Sequence, residues 1–301
     1  MQLVWNAPEI ARGVLQALAL TQADSIDEHA DAQPGKIIHE MRSGEMALLG
    51  EVPFRRYYGT VDATPLFVML AGDYYRRTGD LETVREIWPN ILAAMRWIDE
   101  YGDADGDGFV EYSRMTERGL ANQGWKDSHD SIFHADGRLA EPPIALCEVQ
   151  GYVFAARRPA AQLPRAPGEQ DHSTRFYNQA EEIRRLFEEQ FWMEDLGSYA
   201  LALDGRKRPC RVRTSNAGQC LLSGIADPGR AGRIAQALAG ESFFTGWGIR
   251  TVASTDARSN RMSYHNGSVC PHDNALIAAG VARYGYGDLA RQVMTGLFDA
   301  S

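Results

Sequence analysis

The sequence predicts an all-α protein whose helical hairpins close into a toroid, and three observations carry that expectation. Apolar residues recur at helical spacing through most of the chain; successive helical segments are joined by short capped turns on one side and longer loops on the other; and no strand pattern alternates regularly with them. The hairpins recur at roughly forty-residue intervals without an exact repeat, which favours a closed, enzyme-like toroid over an open α-solenoid.

The first helix is expected from Pro8 to about Gln22, with Ile10, Val14, Leu15, Leu18 and Leu20 as its apolar stripe and Pro8 in the first turn, where its missing N–H costs nothing. Residues 23 to 60 form a long connection rich in Asp, Gly and Pro, a length usually reserved for a functional or covering loop. Asp62 is placed to cap a helix that stops at Gly79, and Asp80 to cap a second that stops at Gly102, with Pro89 expected to kink it. So short a turn makes the two a helical hairpin. Asp103, Asp105, Asp107 and Gly106 imitate the start of a calcium loop, but the twelfth position is Arg114 where a bidentate carboxylate is needed, so a tight turn leading into a short hairpin is expected instead.

A helix is expected over 143–156, a Pro-rich loop from Arg158 to Gly168, and an amphipathic helix from about Ser173 to Trp192 that buries Phe176, Ile183, Leu186 and Phe187. Ser198 to Leu203, followed by Asp204-Gly205, reads as a strand and hairpin turn decorating a loop. Helices resume over 215–225, 228–238, 270–284 and from Asp288 to the end.

At 301 residues, 44% of them hydrophobic, the chain can bury a large core, and the expectation is a single domain spanning 1–301. A net charge of −9 argues against nucleic acid or an anionic membrane as partner and leaves a neutral small molecule as the better fit. Cys147, Cys210, Cys220 and Cys270 show no metal spacing, and the first three sit in apolar or mixed segments typical of reduced core thiols; with no signal-peptide pattern and no membrane-length apolar run, a cytoplasmic location is expected.

Chemistry is expected at Gly124-Trp125-Lys126-Asp127-Ser128-His129-Asp130, where a carboxylic acid follows an indole in a loop between helices. An acid shielded by an aromatic ring is a better proton donor near neutral pH, and glycosidic cleavage needs one. Taken alone, a Trp near an Asp is more often a polar connector. It has companions, however: Arg55 to Asp62 and Met262 to Asn274 likewise mix aromatics with carboxylates, amides or histidines, as a saccharide site does with its aromatic platforms and short polar groups, and between the last two lies Gly246 to Arg250 with its Trp247. His265 and His272, seven apart in a Pro-containing loop, lack the spacing of a metal pair, so no metal and no cofactor is expected. Gly285 to Ala290 imitates a dinucleotide fingerprint but follows a helix, not a strand.

The runs RRYYGTVDATPLFVMLAGDYYRRTGDL, DGDGFVEY, NQGWKDSHDS, PIALCEVQGYVFAA, GWGIRT and MSYHNGSVCPHDNALIAAG, in this order and over essentially the whole chain, resemble the catalytic domain of bacterial amylo-α-1,6-glucosidases, the glycogen-debranching-enzyme-like proteins, which are similar to mannosylglycerate-hydrolase-like and glucoamylase-like six-hairpin glycosidases. The resemblance implies an (α/α)6 toroid and an inverting hydrolase of an α-glucosidic bond, with an oligosaccharide or small glycoside as substrate. Asp127 falls where the family's general acid stands. Asp62 and Trp125 would hold the sugar at the scissile bond; Trp247, Arg250, Tyr264, His265 and Asn266 would line the wall; and His39, Glu40 and Glu148 are further candidates for substrate binding. The opposing base of the family, in a Pro-Glu loop, has no match before Ser301, and the chain is expected to be a fragment lacking the first helix and the last hairpin, whose uncovered faces meet a second copy or the remainder of the polypeptide. Cys270 stands where the family usually has Trp. Two alternatives follow from the unmatched base and the shared fold: a non-hydrolytic sugar-binding toroid and a sugar isomerase.

Overall fold

A computed structural model of the chain describes residues 2–163 and 172–301. Among these residues lie ten α-helices and two small antiparallel strand pairs. Contacts group the chain into two compact units, Met1–Trp125 with Tyr152–Glu182, and Lys126–Gly151 with Ile183–Ser301.

In the first unit α1 (Pro8–Leu20) packs on α3 (Ala63–Thr78) and α4 (Leu81–Trp97), while α2 (Glu45–Leu48) is a single turn inside the long connection. The expected stripe of α1 is only partly right: Ala11 and Leu15, four apart, are buried, whereas Ile10, Val14 and Leu20 are exposed. The α3–α4 hairpin forms as expected. Gly79 adopts φ 67°, a left-handed conformation that costs glycine no Cβ clash, and the Asp80 carboxylate accepts the Thr83 N–H at 3.1 Å. Asp62 does occupy the cap position of α3, but its carboxylate caps nothing and takes the Thr60 hydroxyl instead. Beyond α4 the chain makes a π-helical turn, Ile98–Gly102, and the acidic segment after it closes on itself through Asp103, Asp105 and Asp107, whose carboxylates accept the N–H groups of Gly108, Asp107 and Phe109 respectively. No strand pair follows, so the expected hairpin is absent.

The helix expected over 143–156 starts later and runs further. A strand β1 (Ala145–Leu146) precedes it, and α5 spans Cys147–Ala160, so Arg158 and Pro159 are helical where a loop was expected. Residues 164–168 of that loop lie outside the described residues. Pro159 explains part of the shift: its ring packs where Gly72 of α3 offers no side chain, since a Cβ there would stand 2.3 Å from the Pro159 Cβ. The next helix, α6 (Ser173–Gln190), buries Phe176, Ile183 and Phe187 as its pattern predicts, whereas Leu186 is only half-buried.

In the second unit the predicted strand over 198–203 splits in two. β3 (Ser198–Tyr199) pairs with β2 (Trp192–Met193), while β4 (Ala202–Leu203) pairs with β1, because Ala200 and Leu201 turn their N–H groups to different partners, Phe191 and Cys210. Helices α7 (Asn216–Ser223), α8 (Pro228–Ala239), α9 (Pro271–Arg283) and α10 (Gly287–Asp299) follow close to their predicted ranges. α9 packs between α7 and α10, and its approach to α7 is backbone on backbone: a Cβ on Gly280 would meet the Leu222 nitrogen at 2.6 Å and the Gly218 oxygen at 2.8 Å. Glycine is required there by proximity. No helix among the described residues is long and apolar enough to cross a membrane.

Candidate active site

The loop that carries Asp127 is anchored by its neighbour. Lys126 is 1% exposed, and its ammonium donates to the Thr251 carbonyl at 2.7 Å, while the Lys126 carbonyl accepts the Ser131 hydroxyl at 2.5 Å. With Lys126 drawn inward and pinned on both sides, the side chain of Asp127 remains 45% exposed. This is more open than the shielding by indole that the sequence pattern called for.

Facing Asp127 is a buried imidazole. His265 is 3% exposed, and its Nδ1 lies 2.8 Å from the Ser128 hydroxyl and within 3.3 Å of the Ser128 N–H that donates to it. Burial pushes His265 below its ordinary value, with the Asp127 charge, 3.7 Å away, opposing. The ring is therefore neutral at pH 7, and with Nδ1 accepting, its proton sits on Nε2. At 3.7 Å the carboxylate is not hydrogen-bonded to the ring, so its acidic oxygens stay available to a ligand. Tyr264, 70% exposed, tilts against His265 with centroids 4.4 Å apart.

Lys126 reaches into a buried set of charges. Asp273, 0% exposed, accepts from Gln219 at 2.5 Å and faces Lys126, as does Glu148, 1% exposed in the first turn of α5. Burial lowers Lys126 to about 8 and raises Asp273, and their mutual attraction opposes both shifts. Glu148 thus sits where it balances a buried cation rather than where it meets solvent.

Thr251, also fully buried, ties three segments together. Its carbonyl takes both Lys126 and the Ser215 N–H, its hydroxyl accepts the Gly267 N–H at 2.8 Å, and its own N–H bonds the Ser268 carbonyl. Gly267 has φ 154°, and a Cβ there would stand 2.6 Å from the Asn260 carbonyl. Asn266, 1% exposed, donates to the Asp130 carbonyl at 3.1 Å, so it closes the 262–270 loop over the Asp127 loop. Asn274 does the same for the neighbouring turn: its amide accepts the Ile249 N–H at 2.6 Å and donates to the carbonyls of Ile249 and Cys270 at 2.9 and 3.0 Å. That clamp sets Arg250, whose backbone bridges Val269, and the turn at Thr245–Gly248, where Trp247 stands 54% exposed between two glycines of positive φ.

In the first unit, Asp62 is 9% exposed, and burial raises its carboxyl, with the Thr60 hydroxyl and the His39 ring opposing. The Val61 N–H donates to the Gln123 carbonyl at 2.7 Å, which joins two of the aromatic, polar loops predicted to act together. Trp125 is half-buried at the end of that second loop. His39 is exposed and meets the Tyr57 ring edge-on at 6.1 Å; Glu40 bridges Tyr57 through its backbone and pairs with Arg42 at 2.9 Å. Beneath them Asp31 gathers the Tyr57 hydroxyl, the Gln123 amide and the Met115 N–H on one buried carboxylate.

Residues 56–301 match the mannosylglycerate hydrolase MGH1-like glycoside hydrolase domain. The chain belongs to that family. Of the residues placed at the candidate site, the matched stretch holds all except Asp31, His39, Glu40 and Arg42. Among curated proteins no match is found. Among solved structures, this MGH1-like domain is similar to a GH63 mannosylglycerate hydrolase from Thermus thermophilus: in its glucose complex at TM-score 0.70 and 18% identity, covering 99% of this chain and 81% of that one, and in its complex with Tris at 0.69 and 17%, covering 99% and 82%. A sialidase matches at TM-score 0.63 and 10% identity over 77% of this chain and 21% of its own. The fold of the MGH1-like domain is therefore the (α/α)6 glycosidase fold, and it is a glycoside hydrolase domain.

The residues that sequence reasoning missed are supports. Lys126, Ser128, Thr251 and Asn274 carry no aromatic or carboxylate signature of sugar binding, and Asp273 carries its carboxylate inside a helix. The one available signal was a lysine among the aspartates of a loop-forming string, with Asp273 two residues into a helix whose pattern left no exposed face for it.

Proposed function

We propose that this domain hydrolyses a small α-glycoside by an inverting mechanism, with Asp127 donating the proton to the leaving oxygen. The observation that carries the reading is the mounting of Asp127: a half-exposed carboxyl on a loop pinned by Lys126 and Ser131, beside a neutral buried His265. A proton donor must be held in place yet remain reachable; Glu148 is held but buried, and Asp130 of the same stretch faces Arg258 at 3.8 Å. Trp247 and Tyr264 supply exposed aromatic faces for the C–H surfaces of a sugar ring, and half-buried Arg250 a polar group beside them, while buried His265 and Asn266 back these loops. In the first unit, Asp62, Trp125, His39 and Glu40 are proposed as sugar contacts on the family resemblance.

A small glycoside is favoured over the branched α-glucan of an amylo-α-1,6-glucosidase. The similar Thermus thermophilus hydrolase is described in complexes with glucose and with Tris and D-glycerate. An inverting reaction needs a second carboxylate about 6.5 to 9.5 Å from the acid, on the other face of the ring.

The test compares sugar release from α-glucosyl- and α-mannosylglycerate with release from an α-1,6-branched dextrin, and follows the anomer by NMR. The expected result is turnover of the small glycoside with inversion, and a drop of about 10²- to 10⁴-fold in kcat for Asp127→Asn. Equal rates in parent and variant remove Asp127 from its role. Preferred release of glucose from the branched dextrin establishes the debranching reading, and calorimetric binding of these sugars without any release establishes a binding protein.

A further inference from the structure

At the start of α9, outside the residues assigned to the sugar, the Sγ of Cys270 lies 2.9 Å from Nδ1 of His272. Cys270 is half-buried and His272 exposed, so the pair opens to solvent. The other three thiols, Cys147, Cys210 and Cys220, are each 0% exposed.

The surroundings favour a charged pair. Burial opposes ionisation of Cys270, but the His272 ring and the Asp273 N–H outweigh it and place the thiol below its ordinary value, while the Asp273 carboxylate works against them. The Lys126 ammonium also faces the sulfur. His272 is raised, first by its bond to Cys270, with burial opposing and the Cys270 and Asp273 charges adding. The buried thiols go the other way: burial pushes Cys210 up to about 12, and raises Cys147 and Cys220.

We propose that Cys270 and His272 form a reactive thiolate–imidazolium pair, a modification site that exchanges with low-molecular-weight disulfides. The Cys270 sulfur attacks one sulfur of the disulfide. The S–S bond between the two halves breaks, a new S–S bond to Cys270 forms, and the departing thiolate takes the proton of His272. Excess thiol reverses the exchange by the same path. A molecule attached there sits in the segment that closes over Asp127, so occupancy of Cys270 would report on, and interfere with, the entry of ligands to the second unit's loops.

The folded full chain is treated with glutathione disulfide between pH 6 and 9, and adducts are located by peptide mass mapping. The expected result is one fast equivalent on Cys270, absent in Cys270→Ser, and slowed at least about tenfold near pH 6.5 in His272→Asn, whose rate should climb only as an ordinary thiol ionises, near pH 8.5. An unchanged rate and pH profile in His272→Asn, or a first adduct on Cys147, Cys210 or Cys220, overturns the proposal. Circular dichroism of both variants establishes that each is folded when assayed.

Discussion

Replacing Asn274 by Ala tests whether the candidate site is built by buried backbone clamps. The amide of Asn274, 0% exposed, satisfies both backbone groups of Ile249 and shares the Cys270 carbonyl with the helix N–H of Asn274 itself. Truncation takes this partner from two buried backbone groups of Ile249, at about 1 to 3 kcal/mol each, whereas the Cys270 carbonyl keeps its helical bond. The expected loss is therefore about 2 to 6 kcal/mol. For a chain of this size that is a fall in Tm on the order of 3 to 10 °C, read by circular dichroism. Asn274→Asp separates the two directions of the clamp, since a carboxylate can still accept the Ile249 N–H but donates nothing to either carbonyl, and its loss should be intermediate or larger. The same variants, assayed below their Tm, should raise KM through Trp247 and Arg250, which hang from the clamped segment, more than they lower kcat. A Tm within about 1 °C of the parent, or a kcat effect with KM unmoved, would refute the reasoning.

Two further outcomes follow from burial and close approach. Lys126 and Lys36 are both lowered by burial to about 8 from 10.5, so between those values the native chain binds fewer protons than the unfolded one and stability rises with pH; Lys126 alone contributes about 3 kcal/mol to that rise, and urea midpoints at pH 7.5 to 10 should show a shallower slope in Lys126→Met. Gly280→Ala should cost at least about 1 to 3 kcal/mol by forcing α7 and α9 apart, whereas Gly13→Ala, with open space on the exposed side of α1, should gain about 0.5 to 1 kcal/mol; thermal unfolding of the pair decides whether contact or helix propensity governs.

The helices were legible because their signals are local. Asp80, Gly79, Pro8, Pro228 and Pro271 each act within a turn, and the ends they predict lie where the structure has them. The errors arose where a distant partner decides. Pro159 reads as a breaker, yet Gly72 leaves room for its ring and α5 continues through it. Ser198 to Leu203 reads as one strand, yet its two halves pair with segments on either side, chosen by Phe191 and Cys210. Asp62 reads as a cap, yet Thr60 claims its carboxylate.

The candidate site shows the same division with a chemical reason behind it. Groups proposed to face a ligand must be particular residue types, so Asp127, Trp247 and Tyr264 stand out as candidates in the string. Groups that hold them in place need only reach the right backbone atom, and many side chains can do that. Lys126, Thr251 and Asn274 act on main-chain N–H and C=O groups, whose positions depend on the fold and leave no mark in the composition of the loops. The charges behind Asp127 follow the same logic. A lysine buried against Asp273 and Glu148 gives little or no net stability, because the cost of burying charged groups offsets most of what their attraction returns. What the arrangement does supply is direction. With Lys126 committed to the interior, Asp127 beside it stays half-exposed, as the proposed role of proton donor requires.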